Sequence, residues 1–320
     1  MIQTRRAFLA TGTAALASGM VTAAERPTKD DISLAAWSLN QSFFVGKRWK
    51  NLDLPKIARE EFKIGGLEFV NQFFENPTLE YQNQLKRNLN TYGVTPVLIM
   101  VDDEGNLAAE DRQERIQAAI AHRKWIDIAS YLGCHAIRCN MGGAAKDWKS
   151  DTDLVARAAE SFNDLLEYAA DPDLNIVVEN HGGASSDPEI LVSLMKVVGS
   201  DHFGTLPDFG NINRGDNREE VVRKIVPYAK GISVKASWAA DGTNAGWDLD
   251  RLLKICMESG YHGFWGIESS MARGGGSAAM AAGQPASQDL TADQIWDSEC
   301  KAVRLTKAAI ERVVFDKPSA

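Results

Sequence analysis

Eight short apolar runs alternate with eight helical patterns from residue 30 onward, no linker interrupts them, and no glycine-rich phosphate loop follows the first run. Together these observations predict an α/β fold, a single (β/α)8 TIM barrel rather than two domains or a doubly wound open sheet. Three of the runs end in an acid: Asn-Ile-Val-Val-Glu179, Gly-Thr-Leu-Pro-Asp208 and Gly-Phe-Trp-Gly-Ile-Glu268. In one parallel barrel those carboxylates converge at the C-terminal mouth, where they repel each other unless a metal or a proton is shared.

In chain order the strands are expected at Ile32–Trp37, Gly66–Val70, Thr95–Val101, Ala136–Asn140, Asn175–Asn180, Gly204–Phe209, Gly231–Lys235 and Gly263–Glu268. The helices expected between and after them are Leu54–Glu61, Leu79–Asn90, Arg112–Leu132, Leu154–Ala169, Glu189–Val198, Arg218–Tyr228, Leu249–Ser259 and Ala292–Val314. Ser186-Asp187-Pro188-Glu189 reads as a capping box with proline inside the first turn. Ser38–Asn51 and Ser269–Gln288 exceed ordinary βα loops, and both fall on the catalytic face as lid candidates. The second contains the Gly/Ala/Ser-rich stretch Ala272–Ser277 and reads equally as a surface insertion.

The chain has 320 residues, 44% hydrophobic and 24% charged, as expected of a globular protein with a sizeable core. A net charge of -8 argues against nucleic acid or an anionic membrane surface as partner and suits a small polar or neutral substrate better than a polyanion. A small carbohydrate is the partner expected from the candidate site residues, and a homo-oligomer stays open. No internal apolar run reaches the ~20 residues of a membrane helix. Thr4-Arg5-Arg6-Ala7-Phe8-Leu9, an acid-free apolar stretch and the small-residue exit Thr22-Ala23-Ala24 read as a twin-arginine export signal over residues 1–24. The barrel then occupies 25–320 and the protein is expected in the periplasm. Cys134, Cys139, Cys256 and Cys300 form no CxxC pair or zinc spacing and read as buried free thiols, with one disulfide left open.

Glu179, Asp208 and Glu268 are the candidate metal ligands. Oxygen-rich ligation with at most one nitrogen suits one Mn²⁺, or Mg²⁺ or Co²⁺, rather than structural zinc. Such an ion polarises sugar oxygens and acidifies the neighbouring C–H, and a carboxylate then moves the proton. Of the five histidines, His181 lies two residues past Glu179 and is the imidazole candidate; His122, His135, His202 and His262 read as structural or solvated. Lys235 points the same way as Ser233 on strand seven and is expected to act on an enolate or a substrate hydroxyl, or to form a salt bridge. Arg138 and Asn140 on strand four, Glu68 on strand two, Asn211 after strand six and Trp37 after strand one complete the substrate-binding set, with Asn40, Phe43 and Phe44 near Trp37.

The segments Ala35-Ala36-Trp37-Ser38-Leu39, Gly66-Leu67-Glu68-Phe69-Val70-Asn71-Gln72-Phe73-Phe74, His122-Arg123-Lys124-Trp125 and Leu132-Gly133-Cys134-His135-Ala136-Ile137-Arg138 carry a resemblance. Val178-Glu179-Asn180-His181-Gly182-Gly183, Leu206-Pro207-Asp208-Phe209-Gly210-Asn211 and Gly263-Phe264-Trp265-Gly266-Ile267-Glu268 complete it. With them the chain resembles the xylose isomerase-like barrels, in their exported sugar phosphate isomerase/epimerase branch. The resemblance implies one divalent metal held by Glu, Asp, His and Glu from strands five to eight, with the two glutamates exchanging the substrate proton. Glu179, Asp208 and Glu268 match three of those positions, and Ser233 stands where the histidine is expected. Water, Ser233 or His181 then completes the shell, or the site uses Lys235 instead. The implied activity is a sugar isomerase or epimerase acting through an enediolate. A lyase or hydratase on keto-sugars or keto-glycosides, and a sugar-binding barrel without catalysis, are the alternatives. The histidine-rich, basic sites of the nucleic-acid-cleaving relatives are not matched.

Overall fold

The computed structural model describes residues 28, 31–143, 148–244, 246–272 and 290–316. The export segment expected over 1–24 and most of the Ser269–Gln288 loop therefore lie outside the described residues. Eight parallel strands run β1 Ile32–Ala35, β2 Gly66–Val70, β3 Thr95–Val101, β4 Ala136–Cys139, β5 Asn175–Glu179, β6 Phe203–Leu206, β7 Ile232–Trp238 and β8 Trp265–Met271. They pair in the order β6-β5-β4-β3-β2-β1-β8-β7. The remaining seam, β7 to β6, has no regular ladder because Pro207 lacks an N–H. It is closed by the bridges Thr205 to Ala229 and Asp208 to Ser233, with Ser233 N donating to Pro207 O at 2.9 Å and Phe209 N to Ser233 O at 3.2 Å.

The same proline explains why β6 stops at Leu206 instead of reaching Phe209. The first strand likewise ends at Ala35, where Ala36–Leu39 turns into a 3-10 helix. β7 and β8 run longer than expected because they pair residue for residue from Ile232–Trp265 out to Trp238–Met271.

Among the described residues the α-helices are α1 Asn40–Phe44, α2 Leu54–Lys56, α3 Leu79–Tyr92, α4 Arg112–Leu132, α5 Leu154–Ala169, α6 Pro188–Val198, α7 Arg218–Ile225, α8 Leu249–Glu258 and α9 Ala292–Ile310. α2 and α9 each continue as a wider turn, Ile57–Glu61 and Glu311–Phe315, which accounts for their longer sequence patterns. Side-chain caps start most of the longer helices: Thr78, Asp111, Asn217, Asp248 and Thr291 each accept from a first-turn N–H, at about 1 kcal/mol apiece. At α6 the cap is Asp187, accepting from Glu189 N at 2.9 Å. Ser186 instead accepts from Gly182 N at 2.8 Å, so the expected capping box is a single Asp cap.

Ser38–Asn51, read as a lid, is folded. It contains α1, and Glu299 on α9 accepts from Gln41 N at 2.8 Å and from the Ser42 amide and hydroxyl. Phe43 stacks on Phe73 with centroids 4.6 Å apart and on Trp49 at 4.8 Å, so this segment is fixed wall rather than moving flap. All four cysteines are buried and unpaired. No helix among the described residues is long and apolar enough to cross a membrane.

Candidate functional site

The strand ends bring the acids together. Glu179 is the last residue of β5. Asn180 then extends the β5–β6 pairing with its side chain, donating to Asp208 O at 2.9 Å and accepting from Asp208 N at 2.7 Å. That clasp fixes Asp208 where Pro207 has ended the ladder. On the neighbouring strands Ser233 and Lys235 lie two residues apart and so share the inner face of β7, and Lys235 is the register partner of Glu268 on β8.

One oxygen from each of Glu179, Asp208 and Glu268 lies within 4.8 Å of the others. Lys235 Nζ sits 2.5 Å from Glu268 Oε1 and 3.5 Å from Asp208 Oδ2. Ser233 donates to Asp208 Oδ2 at 2.7 Å and lies 3.4 Å from Glu268 Oε2. Arg138, 1% exposed, reaches Asp102 Oδ1 at 2.6 Å through Nη1 and Glu179 Oε2 at 2.8 Å through Nε. The second contact is an ion pair without an aligned hydrogen bond, since neither atom has a hydrogen-bonding partner. Asn211 donates to Glu179 Oε1 at 2.8 Å and faces Lys235 Nζ with Oδ1 at 3.2 Å.

Burial sets the electrostatics. It pushes the Glu179 carboxyl well above the ordinary range; Arg138 and Lys235 oppose this, while Asp208 and Glu268 reinforce it. Lys235 behaves oppositely: burial alone disfavours its charge, but Asp208, Glu268 and Glu179 outweigh burial and hold it protonated. Burial works against the charged form of Asp102 as well, yet Arg138 wins and holds that carboxyl below its usual value. Four carboxyl groups, Asp102 included, face the two cations Arg138 and Lys235; with all four ionised the cluster is two positive charges short, and without a further cation Glu179 is the acid pushed toward its protonated form. One divalent ion supplies that deficit, and three carboxylates are the donor chemistry such an ion takes. The residues present therefore fit a hard divalent cation, held by Glu179, Asp208 and Glu268. His181 lies outside that ligand group.

A cavity of about 580 Å³ opens above the cluster, in the size range of small-molecule sites. Of the residues expected at the site, Trp37, Arg138, Glu179, His181, Asn211, Lys235 and Glu268 line it. Desolvation by the cavity walls, then Arg138 and Lys235, hold the His181 imidazole down to about 4, although much of its surface stays open to solvent. It is a neutral ring at physiological pH. Asp208 and Ser233 are buried beneath the cavity and do not line it. Asn140 lies behind the wall, donating to Asp102 Oδ1 at 2.7 Å. Glu68 lies deeper, 1% exposed and accepting from Ser33 Oγ at 2.5 Å; it does not line the cavity. Its carboxylate approaches β8 so closely that a Cβ at Gly266 would meet Oε1 at 2.3 Å. Asn40 lines the wall beside Trp37, whereas Phe43 and Phe44 pack with Phe73 behind it.

Sequence reasoning missed four residues of the site. Asp102 joins Trp37 Nε1 at 3.1 Å, Asn140 and Arg138 into one cluster. The signal was present: it closes the apolar run Val97–Val101 just as the other acids close theirs. Arg214, Arg218 and Trp247 form the far wall, from two loops and the first residue of α7, with no comparable signature. Arg218 lies 4.3 Å over the Trp247 ring and donates to Phe209 O at 2.7 Å, which fixes that wall in place.

The sequence profile of the xylose isomerase-like TIM barrels matches residues 58–292, and the chain belongs to that family. No curated protein matches the chain. Solved structures share the fold at low identity. A D-psicose 3-epimerase from Clostridium cellulolyticum H10, solved with D-tagatose, is 14% identical, with 89% of this chain and 99% of that one covered at a TM-score of 0.64. The 3-keto-D-glucoside 4-epimerase of E. coli is 14% identical over 77% of this chain and 94% of that one, TM-score 0.62. A xylose isomerase-like barrel from Mycobacterium smegmatis, in complex with magnesium, is 14% identical over 87% and 97%, TM-score 0.58.

Proposed function

We propose that this xylose isomerase-like barrel is a divalent-metal-dependent sugar isomerase or epimerase that moves a proton at the carbon next to a carbonyl. The observation that carries this reading is the convergence of Glu179, Asp208 and Glu268 within 4.8 Å, beneath a cavity that Glu179 and Glu268 line, where four carboxyl groups meet only two cations. The epimerase neighbours support the same class. Mn²⁺ is the expected ion, with Mg²⁺ or Co²⁺ as alternatives; when bound, it polarises adjacent sugar oxygens and makes the C–H between them acidic.

The chain's own residues do the rest. Glu179 and Glu268 reach the cavity from different strands, so one removes the proton and the other returns it. Return to the opposite face of the same carbon gives an epimer, and return to the neighbouring carbon gives an isomer. Lys235 and Asn211 present N–H donors to the enediolate oxygen. Arg138 keeps Glu179 in place, and neutral His181 with Trp37 orients the sugar. Incubation with a panel of ketoses and Mn²⁺, followed by NMR, tests this: an epimer or isomer appears, its formation stops with EDTA, and Mn²⁺ restores it. Absence of conversion together with absence of bound metal would leave a sugar-binding barrel.

A second reading, a lyase or hydratase on keto-glycosides, is favoured by the cavity's extent. Beyond the cluster it reaches the Arg218–Trp247 wall, where an aglycone has a flat surface to pack against. Release of the aglycone in the same assay identifies this activity. We place the mature protein in the periplasm on the strength of Arg5-Arg6 and the segment that follows; replacing both arginines by lysine is expected to retain the protein in the cytoplasm.

A further inference from the structure

Every oxygen of the carboxylate cluster already faces a donor from the protein. Asp208 Oδ1 accepts from Gly210 N at 2.8 Å and Asn211 N at 2.7 Å, and Oδ2 meets Ser233 and Lys235. Glu268 turns Oε1 to Lys235 and Oε2 to Ser233. Glu179 is taken by Asn211 and Arg138. The fold routes the lysine to this position. Register places it beside Glu268, and Gly210 leaves the space its stem crosses, since a Cβ there would meet Lys235 Cδ at 2.6 Å.

We propose that Lys235 is a tethered cation that competes with the divalent ion for Glu268 and Asp208, so that the ion enters only by displacing the ammonium. An ammonium 2.5 Å from a carboxylate oxygen and a metal bound to that same oxygen repel at close range and cannot both keep it. Ser233 strengthens the effect, because a hydroxyl that donates to Asp208 offers the ion little where a ring nitrogen would ligate it. Asn211 Oδ1, 3.2 Å from Nζ, is the anchor left to the displaced lysine, at the cavity wall where substrate oxygens arrive. The lysine thus supplies part of the positive charge the cluster needs, and it sets the affinity for metal. The inference rests on the reading that this cluster takes a divalent ion.

Calorimetric titration with Mn²⁺ alone, at fixed pH, tests it. Lys235→Met is expected to bind Mn²⁺ at least about tenfold more tightly than wild type, and Lys235→Arg within about threefold of it. Should Lys235→Met not fold, reductive methylation of the wild-type protein read by peptide mass spectrometry gives the same answer. Lys235 is protected without metal and labelled several-fold faster with saturating Mn²⁺, while surface Lys124 labels equally in both. Equal or weaker Mn²⁺ binding by Lys235→Met, or Lys235 labelling unchanged by Mn²⁺, overturns the competition and leaves the metal site standing. No binding by either protein at millimolar Mn²⁺ overturns both.

Discussion

The two sides of the barrel give their buried carboxyl groups different partners. On the β1–β2 side Glu68 is a solitary acid whose hydrogen bond comes from Ser33, and burial, helped by Glu268, pushes its pKa up to about 7. On the β4–β8 side Arg138 and Lys235 are threaded among Asp102, Glu179, Asp208 and Glu268; the ion pairs keep Asp102 and Lys235 charged, while Glu179, buried among other acids, is raised as Glu68 is. Both sides use the same residue types at similar burial. A lone acid without a cation packs the barrel interior, whereas a cluster with more carboxyl groups than cations is suited to take a cation up.

The charged side is broken most severely at the acids themselves. Glu179→Gln or Glu268→Gln keeps the side chain's size but removes the proton carrier. Turnover should fall about 10³-fold or more, with the circular dichroism spectrum unchanged. Arg138→Met is next: it leaves Asp102 and Glu179 buried without their cation, and chemical denaturation should show a loss of about 3–5 kcal/mol.

The neutral side is tested by pH. The folded value of Glu68, about 7, lies above its ordinary 4.5. Its stabilisation is therefore complete below about 4.5 and is lost as pH rises through 7, by up to roughly 3 kcal/mol. Glu299, also raised to about 7 by burial, adds a loss of the same sign. Glu68→Gln should lessen the fall of Tm between pH 5 and 8, leaving the share due to Glu299 and to the likewise raised Glu179. A variant as pH-sensitive as wild type would remove Glu68 from this contrast. The smallest effect expected is at the boundary between the two chemistries: Ser233→His supplies the missing imidazole and should tighten Mn²⁺ binding about tenfold, 1.4 kcal/mol. An unchanged affinity would mean that position 233 does not reach the ion.

The sequence made the strands legible because each is a short apolar run between helices, and the acids legible because each ends such a run. Asp102 follows the same rule and was available to it. What the sequence does not carry is register and long-range contact. That Lys235 lies against Glu268 follows from β7 pairing β8 residue for residue, which no local pattern announces. That Ser38–Asn51 is fixed wall follows from Glu299, more than two hundred residues away. Pro207 shortened β6 where propensity alone ran on to Phe209, and the Asn180 clasp that replaces the lost ladder is visible only in three dimensions.

The central claim is that Glu179 and Glu268 carry a proton to and from a sugar carbon. Incubation in D₂O with Mn²⁺ and the sugar that the panel identifies, followed by mass spectrometry, measures this directly. Wild type should place deuterium at the carbon next to the carbonyl, and the double variant Glu179→Gln/Glu268→Gln should place none while remaining folded. Deuterium incorporated by the double variant at the wild-type rate would contradict the account.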